Sequence, residues 1–322
     1  GNERLVSPAE WNNILRTFDG VKVYWRGKKW DIDAFWVRPV ANGILPRDQI
    51  APYHLDTAQD FYGIYSTLDP SPEPEEVEEE AETPRRGARV KHTFDFYYFG
   101  LNTYGAPVTP AFPVNSSLQT IGSRWAGSKN NWLWEFEAAY QFGRYGTGLQ
   151  SAAMTVAGIG YERAKWKRKP RVWVYYDWAS GDRNPNNGVH GTFSQLFPWA
   201  HRYFGFMDLV GRQNIHDFNV MFTNSPTKKT NFTMWWHVFH LASARDALYN
   251  SSGVPYRISP TGAAGTYVGQ ELDLLMQYVV NPRADVLIGY SHFWAGSFVK
   301  ATNPAGVTGD AGFYYSQWSW RF

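Results

Sequence analysis

The sequence predicts an all-β protein, a transmembrane antiparallel β-barrel, and three observations predict this class. The 322 residues include 16 Trp, 20 Tyr and 21 Phe, or 18% of the chain, although the chain is polar on average. Apolar and polar residues alternate with a period of two over many segments, which is the pattern of strands with one apolar face. The links between these segments alternate between short and long, as periplasmic turns and external loops do in outer-membrane barrels.

Thirteen segments with this alternation follow one another along the chain. Each has about 9–11 residues, which is the length that crosses a bilayer when a strand is tilted. They begin at Phe18, Trp30, Asp60, Lys91, Ser117, Trp132, Leu149, Arg171, Ile215, Asn231, Glu271, Asp285 and Phe313. We therefore expect about thirteen membrane-spanning strands in this chain.

The two faces of the predicted strands differ in character. In the segment 171–180, Val172, Val174 and Tyr176 share one face, and Asp177 lies on the other. A soluble barrel would place the apolar face inside, whereas a membrane barrel turns it toward lipid and lines its lumen with polar and charged groups. Rings concentrate near the ends of the segments, and the last residue is also aromatic. Both features favour the membrane arrangement.

One link differs from the rest of the chain in charge. The net charge is +2, but seven glutamates fall between residues 73 and 82, so the rest of the protein is basic. The order of short and long links places this acidic insert, at about 70–89, in a periplasmic turn, and its repulsive charge predicts a mobile segment. The predicted organisation is one outer-membrane barrel over 1–322 with this acidic turn.

Several classes of protein are excluded by what the sequence lacks. The absence of cysteine excludes disulfides, iron–sulfur clusters, cysteine zinc sites and thiol nucleophiles. There is no run of about 20 apolar residues for a transmembrane helix, and the first residues do not have the pattern of a signal peptide. Closed bacterial barrels have an even number of strands, so the odd count leads us to expect further strands upstream, with a miscount by one as the alternative.

Four blocks of the sequence carry a resemblance to a known family. They are LVSPAEWNN with RTFDGV (5–21), EAAYQFGRYG (137–146), DWASGDRNPNNGVHGTFSQLFPWAH (177–201) and GYSHFWAGSFV (289–299). The chain resembles the alginate export porin family over essentially its whole length. The resemblance implies an 18-stranded barrel, with about five strands absent here, and passive export of an anionic polyuronate through a basic, narrow lumen. The acidic insert departs from the family pattern, in which this turn is short.

Basic residues on the predicted strands are the candidates for the substrate path. By parity, Lys22, Arg26, Lys91, Arg124, Arg171 and Arg321 face the lumen. They would attract carboxylates as fixed positive charges, and arginine would do so with bidentate geometry. The alternative is that they pair across the wall with lumen-facing acids, which are as frequent: Asp31, Asp33, Asp95, Glu135, Glu137, Asp177, Asp217, Glu271 and Asp273. Lys22 and Arg16 carry more weight because they lie beside or in the RTFDGV block.

The long link 182–213 is the predicted gate or entrance cover. Arg183, His190, His201 and Arg202 could contact polymer there, with ordinary solvation or packing as the alternative. The series Asp182, Asn184, Asn186 and Gly188 is similar to the start of a calcium loop. The twelfth position of such a loop needs a Glu and is occupied by Phe193, so a tight turn is favoured over a cation site.

The sequence contains no motif of a metalloprotease, serine hydrolase or P-loop enzyme, so we predict no catalytic residue, metal site or cofactor. Glu135 and Glu137, about 7 Å apart on one strand face, leave an outer-membrane enzyme as an alternative. A general channel for other solutes and a soluble, aromatic-rich sugar-binding protein also stay open. His237, on the lumen side, is predicted to be a packed residue rather than a base.

The predicted location is the bacterial outer membrane. The predicted partners are outer-membrane lipid and lipopolysaccharide, an anionic polysaccharide or smaller anionic solute, and a periplasmic scaffold protein. The basic composition of the turn 165–169 would also fit binding to a nucleic acid. A solvated turn or an interface with a periplasmic partner is favoured, so we predict no nucleic-acid partner.

Overall fold

Most of the protein is one large antiparallel sheet. The computed structural model describes residues 2–9, 16–41, 54–55, 58–71, 90–104, 114–304 and 306–321. The strands in chain order are β1 (Phe18–Arg26), β2 (Trp30–Ala41), β3 (His54–Leu55), β4 (Gln59–Leu68), β5 (Lys91–Thr103), β6 (Ser116–Lys129), β7 (Trp132–Tyr145), β8 (Gly148–Glu162), β9 (Arg171–Ala179), β10 (Val189–His190), β11 (Ile215–Thr227), β12 (Thr230–Leu241), β13 (Leu248–Tyr249), β14 (Pro255–Arg257), β15 (Tyr267–Asn281), β16 (Ala284–Ala295) and β17 (Ala311–Trp320).

Each long strand pairs with the next long strand along the chain, in the order β1-β2-β4-β5-β6-β7-β8-β9-β11-β12-β15-β16-β17. The short strand β3 extends the edge of β2, β10 pairs in parallel with β8, and β13 and β14 form a separate ribbon. Within the described residues, β1 and β17 are the two ends of this order. The thirteen predicted segments are confirmed, because each coincides with one long strand.

The predicted strand length of 9–11 residues agrees with β1, β4, β9 and β17 but is too short for the other long strands. β8 and β15 each contain 15 residues, against the 9–11 that the alternation indicated. The additional residues include 267–270 at the start of β15, where Val268 is buried. Strand pairing therefore continues beyond the apolar outer band, into residues where the alternation of apolar and polar side chains no longer predicts a strand.

The two faces of the sheet separate aromatic rings from charged groups. On the outer face Trp132, Trp318 and Trp320 are 55%, 75% and 62% exposed, whereas Asp217 and Glu271 on the inner face are fully buried. Since successive side chains of a strand point to opposite faces, the period-two pattern of the sequence produces this separation. The predicted arrangement, with rings outward and charged groups inward, is confirmed.

The links between long strands define two rims. The short-turn rim carries the tight turns that follow β1, β6, β8, β11 and β15. The long-loop rim carries the links that follow β2, β5, β9, β12 and β16, together with the tight turn after β7. The link between β4 and β5, which contains the acidic insert, leaves β4 and enters β5 at the short-turn rim. The assignment of the insert to a periplasmic turn stays a prediction. Residues 72–89 lie outside the described residues, so the mobility of the insert stays a prediction.

An apolar cluster packs against the inner face near the long-loop rim. Phe61, Phe99 and Phe239 come from strand ends, and Phe197 and Phe204 come from link 180–214. The ring centroids of Phe61 and Phe197 are 5.0 Å apart in an edge-to-face arrangement. Charged groups were predicted on this face and the apolar cluster was not, because the alternation within strands gives no information about a link that folds back inside the sheet.

Helical structure in the described residues is limited to a 3₁₀ turn (Ala200–Arg202) and to α1 (Ser297–Thr302). None of the described helices has the length and apolar character that crossing a membrane requires.

Candidate functional site: the charged lumen

A cavity of about 640 Å³ lies on the inner face of the sheet, and we call it the central cavity. Thr67 on β4 and Leu275 on β15 both line it, so the sheet curls around this space. The charged residues in its wall are Arg4, Asp95, Arg124, Glu135, Asp177 and Arg202. The two signs of charge are therefore mixed around one cavity.

Arg4 reaches the central cavity from outside the strands. Its Nη1 lies 2.8 Å from Glu135 Oε1 and 2.9 Å from Glu137 Oε2, and its side chain is 1% exposed. The guanidinium carbon lies 4.6 Å from the centroid of the Tyr203 ring. Two carboxylates and an aromatic face thus surround this cation, which is the compensation that a buried charge requires.

The segment that carries Arg4 is held inside by link 180–214. Val6 forms a parallel bridge with Phe197, and Arg202 Nη1 lies 2.7 Å from Glu3 Oε2. The Tyr203 hydroxyl also donates to the main-chain oxygen of Asn2. Residues 2–9 and link 180–214 therefore fold inward as one unit, which we call the lumen insert.

Arg124 is the predicted strand cation that lies in the central cavity. Its Nε is 2.6 Å from Glu135 Oε1, and its Nη1 is 2.9 Å from Asp95 Oδ2. Strand register explains this contact, because Arg124 on β6 is directly opposite Asp95 on β5 and Glu137 on β7. Arg4 and Arg124 consequently share Glu135 between them.

The wall formed by β9, β11 and β12 contains a buried ion pair and a buried contact between a histidine and an aspartate. Arg212 from the lumen insert places Nη1 2.6 Å from Asp177 Oδ1. His237 places Nδ1 2.9 Å from Asp217 Oδ2, and both side chains are fully buried. The His237 ring stacks on Phe239, with centroids 5.2 Å apart, so the prediction of a packed histidine is confirmed.

Two carboxylates on β15 bind the lumen insert through its main chain. The backbone N–H of Met207 donates to Glu271 Oε1 at 3.0 Å, and that of Phe206 donates to Asp273 Oδ1 at 3.4 Å. Asp273 also accepts from the Ser291 hydroxyl at 2.5 Å. These acids therefore anchor a loop, which the sequence analysis did not predict for them.

The other predicted lumen cations lie toward the short-turn rim, except Lys22, which lines a second cavity of about 310 Å³ with Asn2 and Glu3. Lys22 Nζ is 3.1 Å from Asp33, Arg26 Nη2 is 2.7 Å from Asp33, Arg171 Nη2 is 2.6 Å from Glu162, and Arg321 Nη2 is 3.4 Å from Asp285. Lys91 is exposed at the start of β5. Four of these strand cations therefore pair with acids, as Arg124 does in the central cavity, and three of the four, Arg26, Arg171 and Arg321, do so at this rim. Their contact with substrate stays a prediction.

The candidates outside the strands divide into buried and exposed groups. Arg16 Nη1 donates to the main-chain oxygen of Phe197 at 2.6 Å, and burial lowers the pKa of Arg16 to about 10. His201 is buried, with Nδ1 3.3 Å from Asp208 Oδ1. Arg202 lines the central cavity, and Arg183 is exposed in the long link. Arg16, His201 and Arg202 therefore belong with the lumen insert, and Arg183 does not.

Sequence reasoning missed Arg4 and Arg212 as lumen residues. Neither lies in a segment with alternation, which was the pattern used to assign residues to the lumen. The available signal was their position, since Arg4 directly precedes the LVSPAEWNN block and Arg212 lies near the end of the long link.

Glu135 and Glu137 are acceptors in the arginine network. Besides Arg4, Glu135 accepts from the Tyr175 hydroxyl at 3.1 Å and Glu137 from the Tyr97 hydroxyl at 2.9 Å. The predicted tight turn after Asp182 is confirmed, because the Asn184 N–H donates to Asp182 Oδ1 at 2.9 Å. Among the described residues, no group of three or more His, Cys, Asp or Glu is placed to hold a metal ion.

An antiparallel sheet with an apolar, ring-bearing outer face and a charged inner face is the architecture of outer-membrane β-barrels of the porin class. A family model described as alginate export matches residues 1–77 and 80–311. The chain therefore belongs to the alginate export family. A crystal structure of the NanC porin is similar to it with 12% sequence identity and a TM-score of 0.35, over 81% of this chain and 94% of that one. A search of curated proteins finds no match.

Proposed function

We propose that this protein is an outer-membrane channel for the passive export of an anionic polysaccharide such as alginate. The observation that carries the proposal is the central cavity, which Arg4, Arg124 and Arg202 line inside a sheet with an apolar outer face. Fixed positive charges along a water-filled path lower the barrier for an anion. Membership of the alginate export family supports the same substrate class.

Ion pairing does not exhaust the donors of these arginines. A guanidinium has five N–H donors, and the hydrogen bonds of Arg124 to Glu135 and Asp95 use Nε and Nη1. The Nη2 group can therefore donate to a passing carboxylate while the two acids hold the guanidinium in place. Conduction requires binding that is favourable but weak, and neighbouring acids keep the attraction weak.

Passage of a polymer requires the lumen insert to move. Phe197 and Phe204 of the insert pack with phenylalanines of the wall at the long-loop end, and a hydrated polyanion does not cross an apolar cluster. We therefore propose that the gate is the whole lumen insert, residues 2–9 together with link 180–214. This extends the gate predicted from the sequence, which was the long link alone.

Single-channel recording in planar lipid bilayers tests this function. We expect a current with anion preference that alginate oligosaccharides block, whereas neutral dextran of the same size does not. Arg124→Gln should weaken the anion preference and the block, because it leaves Asp95 and Glu135 without this cation. Arg144→Gln, at an exposed position on the long-loop rim, is the matched control.

The same recordings separate the proposal from its alternative. A channel with weak anion preference and no block by the polyuronate would be a general diffusion channel. Equal effects of Arg124→Gln and Arg144→Gln would show that the charge of the central cavity does not select the solute.

A further inference from the structure

The short-turn rim carries a continuous group of basic residues outside the lumen. Every charged residue in the turns 163–170, 228–229 and 282–283 is basic, namely Arg163, Lys165, Lys167, Arg168, Lys169, Lys228, Lys229 and Arg283. We call this group the basic arc. All of its members are exposed. The lumen network accounts for none of them, because its ion pairs are formed by other residues.

Neighbouring turns of the basic arc contact one another directly. The Ser225 N–H donates to the main-chain oxygen of Arg168 at 2.7 Å, which joins the first turn to the second. Lys229 Nζ donates to the main-chain oxygen of Val280 at 3.1 Å, which joins the second turn to the third. Turns two strands apart are about 10 Å from each other, which is about one Debye length at 0.1 M salt. The positive electrostatic potentials of the three turns therefore add.

The long-loop rim has no comparable excess of one sign. Links 180–214, 242–266 and 296–310 contain six Lys and Arg residues and four aspartates, Asp182, Asp208, Asp246 and Asp310. In the basic arc, by contrast, the described residues show no ion pair for Lys165, Lys167 or Lys228. The link between β4 and β5, which joins the sheet at the short-turn rim, carries the seven glutamates of the acidic insert, so this rim has a basic and an acidic segment.

We propose that the basic arc captures the anionic polysaccharide before it enters the lumen, an inference that rests on the proposed function. A basic surface beside a channel raises the local concentration and the association rate of a polyanion. The arc adjoins the lumen, because Arg171 and Arg321 follow it on the inner face and are 47% and 70% exposed on their side chains. In outer-membrane barrels the short turns face the periplasm, where export begins.

Phospholipid headgroups are the competing occupant, and the contacts favour the polymer. Arg163 is the member of the arc that lies against an outward-facing ring, with its guanidinium carbon 5.0 Å from the centroid of Tyr161. The arc instead continues toward the inner face through Arg171, whose partner Glu162 is a lumen-side residue. A ligand that enters the lumen can use both sets of charges, and a membrane lipid cannot.

The test compares two triple variants that each remove three exposed cations. Lys165→Gln/Lys167→Gln/Lys228→Gln changes the basic arc, and Arg144→Gln/Arg245→Gln/Lys300→Gln changes the long-loop rim. Each is made with Ser252→Cys on the long-loop rim, and the wild-type sequence carries this change as well. Since the chain has no native cysteine, an impermeant maleimide identifies the side that this rim faces in each bilayer recording.

Alginate oligosaccharide is then added to one side at a time, and the association rate is obtained from the frequency of blocking events. We expect faster block from the short-turn side and a fall of roughly tenfold in that rate for the arc variant at low salt. The difference should disappear near 1 M salt, where the Debye length is about 3 Å. The rim variant should keep the wild-type rate from the short-turn side.

An unchanged rate in the arc variant, or an equal fall in both variants, would overturn the capture role while leaving the channel function intact. An arc variant that inserts poorly into anionic lipid but blocks at the wild-type rate would assign the arc to headgroups and also overturn it. Absence of block in the wild-type background from either side would contradict the proposed function itself.

Discussion

Two walls of the lumen hold buried carboxylates by different means. The arginine wall, formed by β5 and β7, has Asp95, Glu135 and Glu137 bound by the guanidinium groups of Arg4 and Arg124. The amide wall, formed by β11 and β15, has Asp217 bound by His237, and Glu271 and Asp273 bound by main-chain N–H groups of residues 206–207. The arginine wall therefore stabilises its carboxylates with guanidinium charges, whereas the amide wall uses one imidazole and the dipoles of main-chain N–H groups.

This difference assigns different tasks to the two walls. The arginine wall retains guanidinium donors beside the central cavity, so it can attract an anion. On the amide wall, Glu271 and Asp273 each accept a main-chain N–H of the lumen insert, so this wall anchors the gate. Changes on the arginine wall should therefore alter ion selectivity, and changes on the amide wall should alter gating with little effect on selectivity.

The largest effect is expected for Arg4→Met, which leaves Glu137 without its guanidinium partner and Glu135 with Arg124 alone. Breaking a buried ion pair from one side costs about 3–5 kcal/mol. We expect a lower midpoint of denaturation of the purified protein and a higher single-channel conductance, because residues 2–9 lose their anchor. Adding Glu135→Gln and Glu137→Gln should recover part of the stability. A wild-type midpoint in Arg4→Met would show that the segment is held by other contacts.

The next largest effect is expected for His237→Leu on the amide wall. It removes one of two donors to Asp217 Oδ2, the other being Asn219 Nδ2 at 2.8 Å. A hydrogen bond to a carboxylate contributes about 1.5–3 kcal/mol. Denaturation should report this loss, while the anion preference stays at the wild-type value. His237→Asn, which keeps a donor, should lose less. Equal losses in both variants would mean that the size and packing of the ring matter rather than its hydrogen bond.

A smaller effect is expected for Gly205→Ala in the lumen insert. Gly205 has φ = +87°, and a Cβ there would lie 2.3 Å from Glu271 Oε1. The backbone strain of about 1–2 kcal/mol and the clash should both loosen the anchor and raise the frequency of gating events. Gly188→Ala is the control, because Gly188 has φ = +74° with no atom within 4 Å of a Cβ. Equal gating in the two variants would count against anchoring by Glu271.

The smallest effect concerns the outer end of link 180–214. His190 stacks on Tyr145 with centroids 3.7 Å apart and lies 2.8 Å from Gln150 Oε1. Burial lowers the pKa of His190, although the charges of Asp246 and Asp182 oppose this. When the outer end of link 180–214 detaches, His190 has the ordinary histidine pKa of about 6.5. Near this pH the detached form therefore binds a proton that the docked form does not bind. Docking is therefore at full strength above pH 6.5 and weakens as the pH falls below it.

Hydrogen exchange of the Leu149 amide measures this docking, because that N–H donates to the main-chain oxygen of Gly188 at 2.9 Å. After correction for intrinsic rates, protection should decrease from pH 7.5 to pH 5. His190→Phe keeps an aromatic ring without a titratable group and should abolish the decrease. A decrease that persists in this variant would assign the pH dependence to another group.

The strands and their faces were predictable because each depends on residues close together in the sequence. Val172, Val174 and Tyr176 are predicted outward and Asp177 inward by local alternation alone, and each lies as predicted. Register between neighbours follows from short turns, so even the proximity of Arg124 to Asp95 could be anticipated as pairing across the wall. The observed ion pair between Arg124 and Asp95 agrees with the alternative that the strand cations pair with acids of the wall.

The sequence by itself determined the sheet, its apolar outer face and its family, because alternation and motif spacing are local properties of the chain. The tertiary structure alone decided what fills the lumen. Arg4 meets Glu135 across 131 positions of sequence, and residues 206–207 meet β15 across more than 60. Neither contact follows from a periodic pattern. Each is decided by the curl of the sheet, which creates an interior where buried carboxylates require partners from any segment that can reach them.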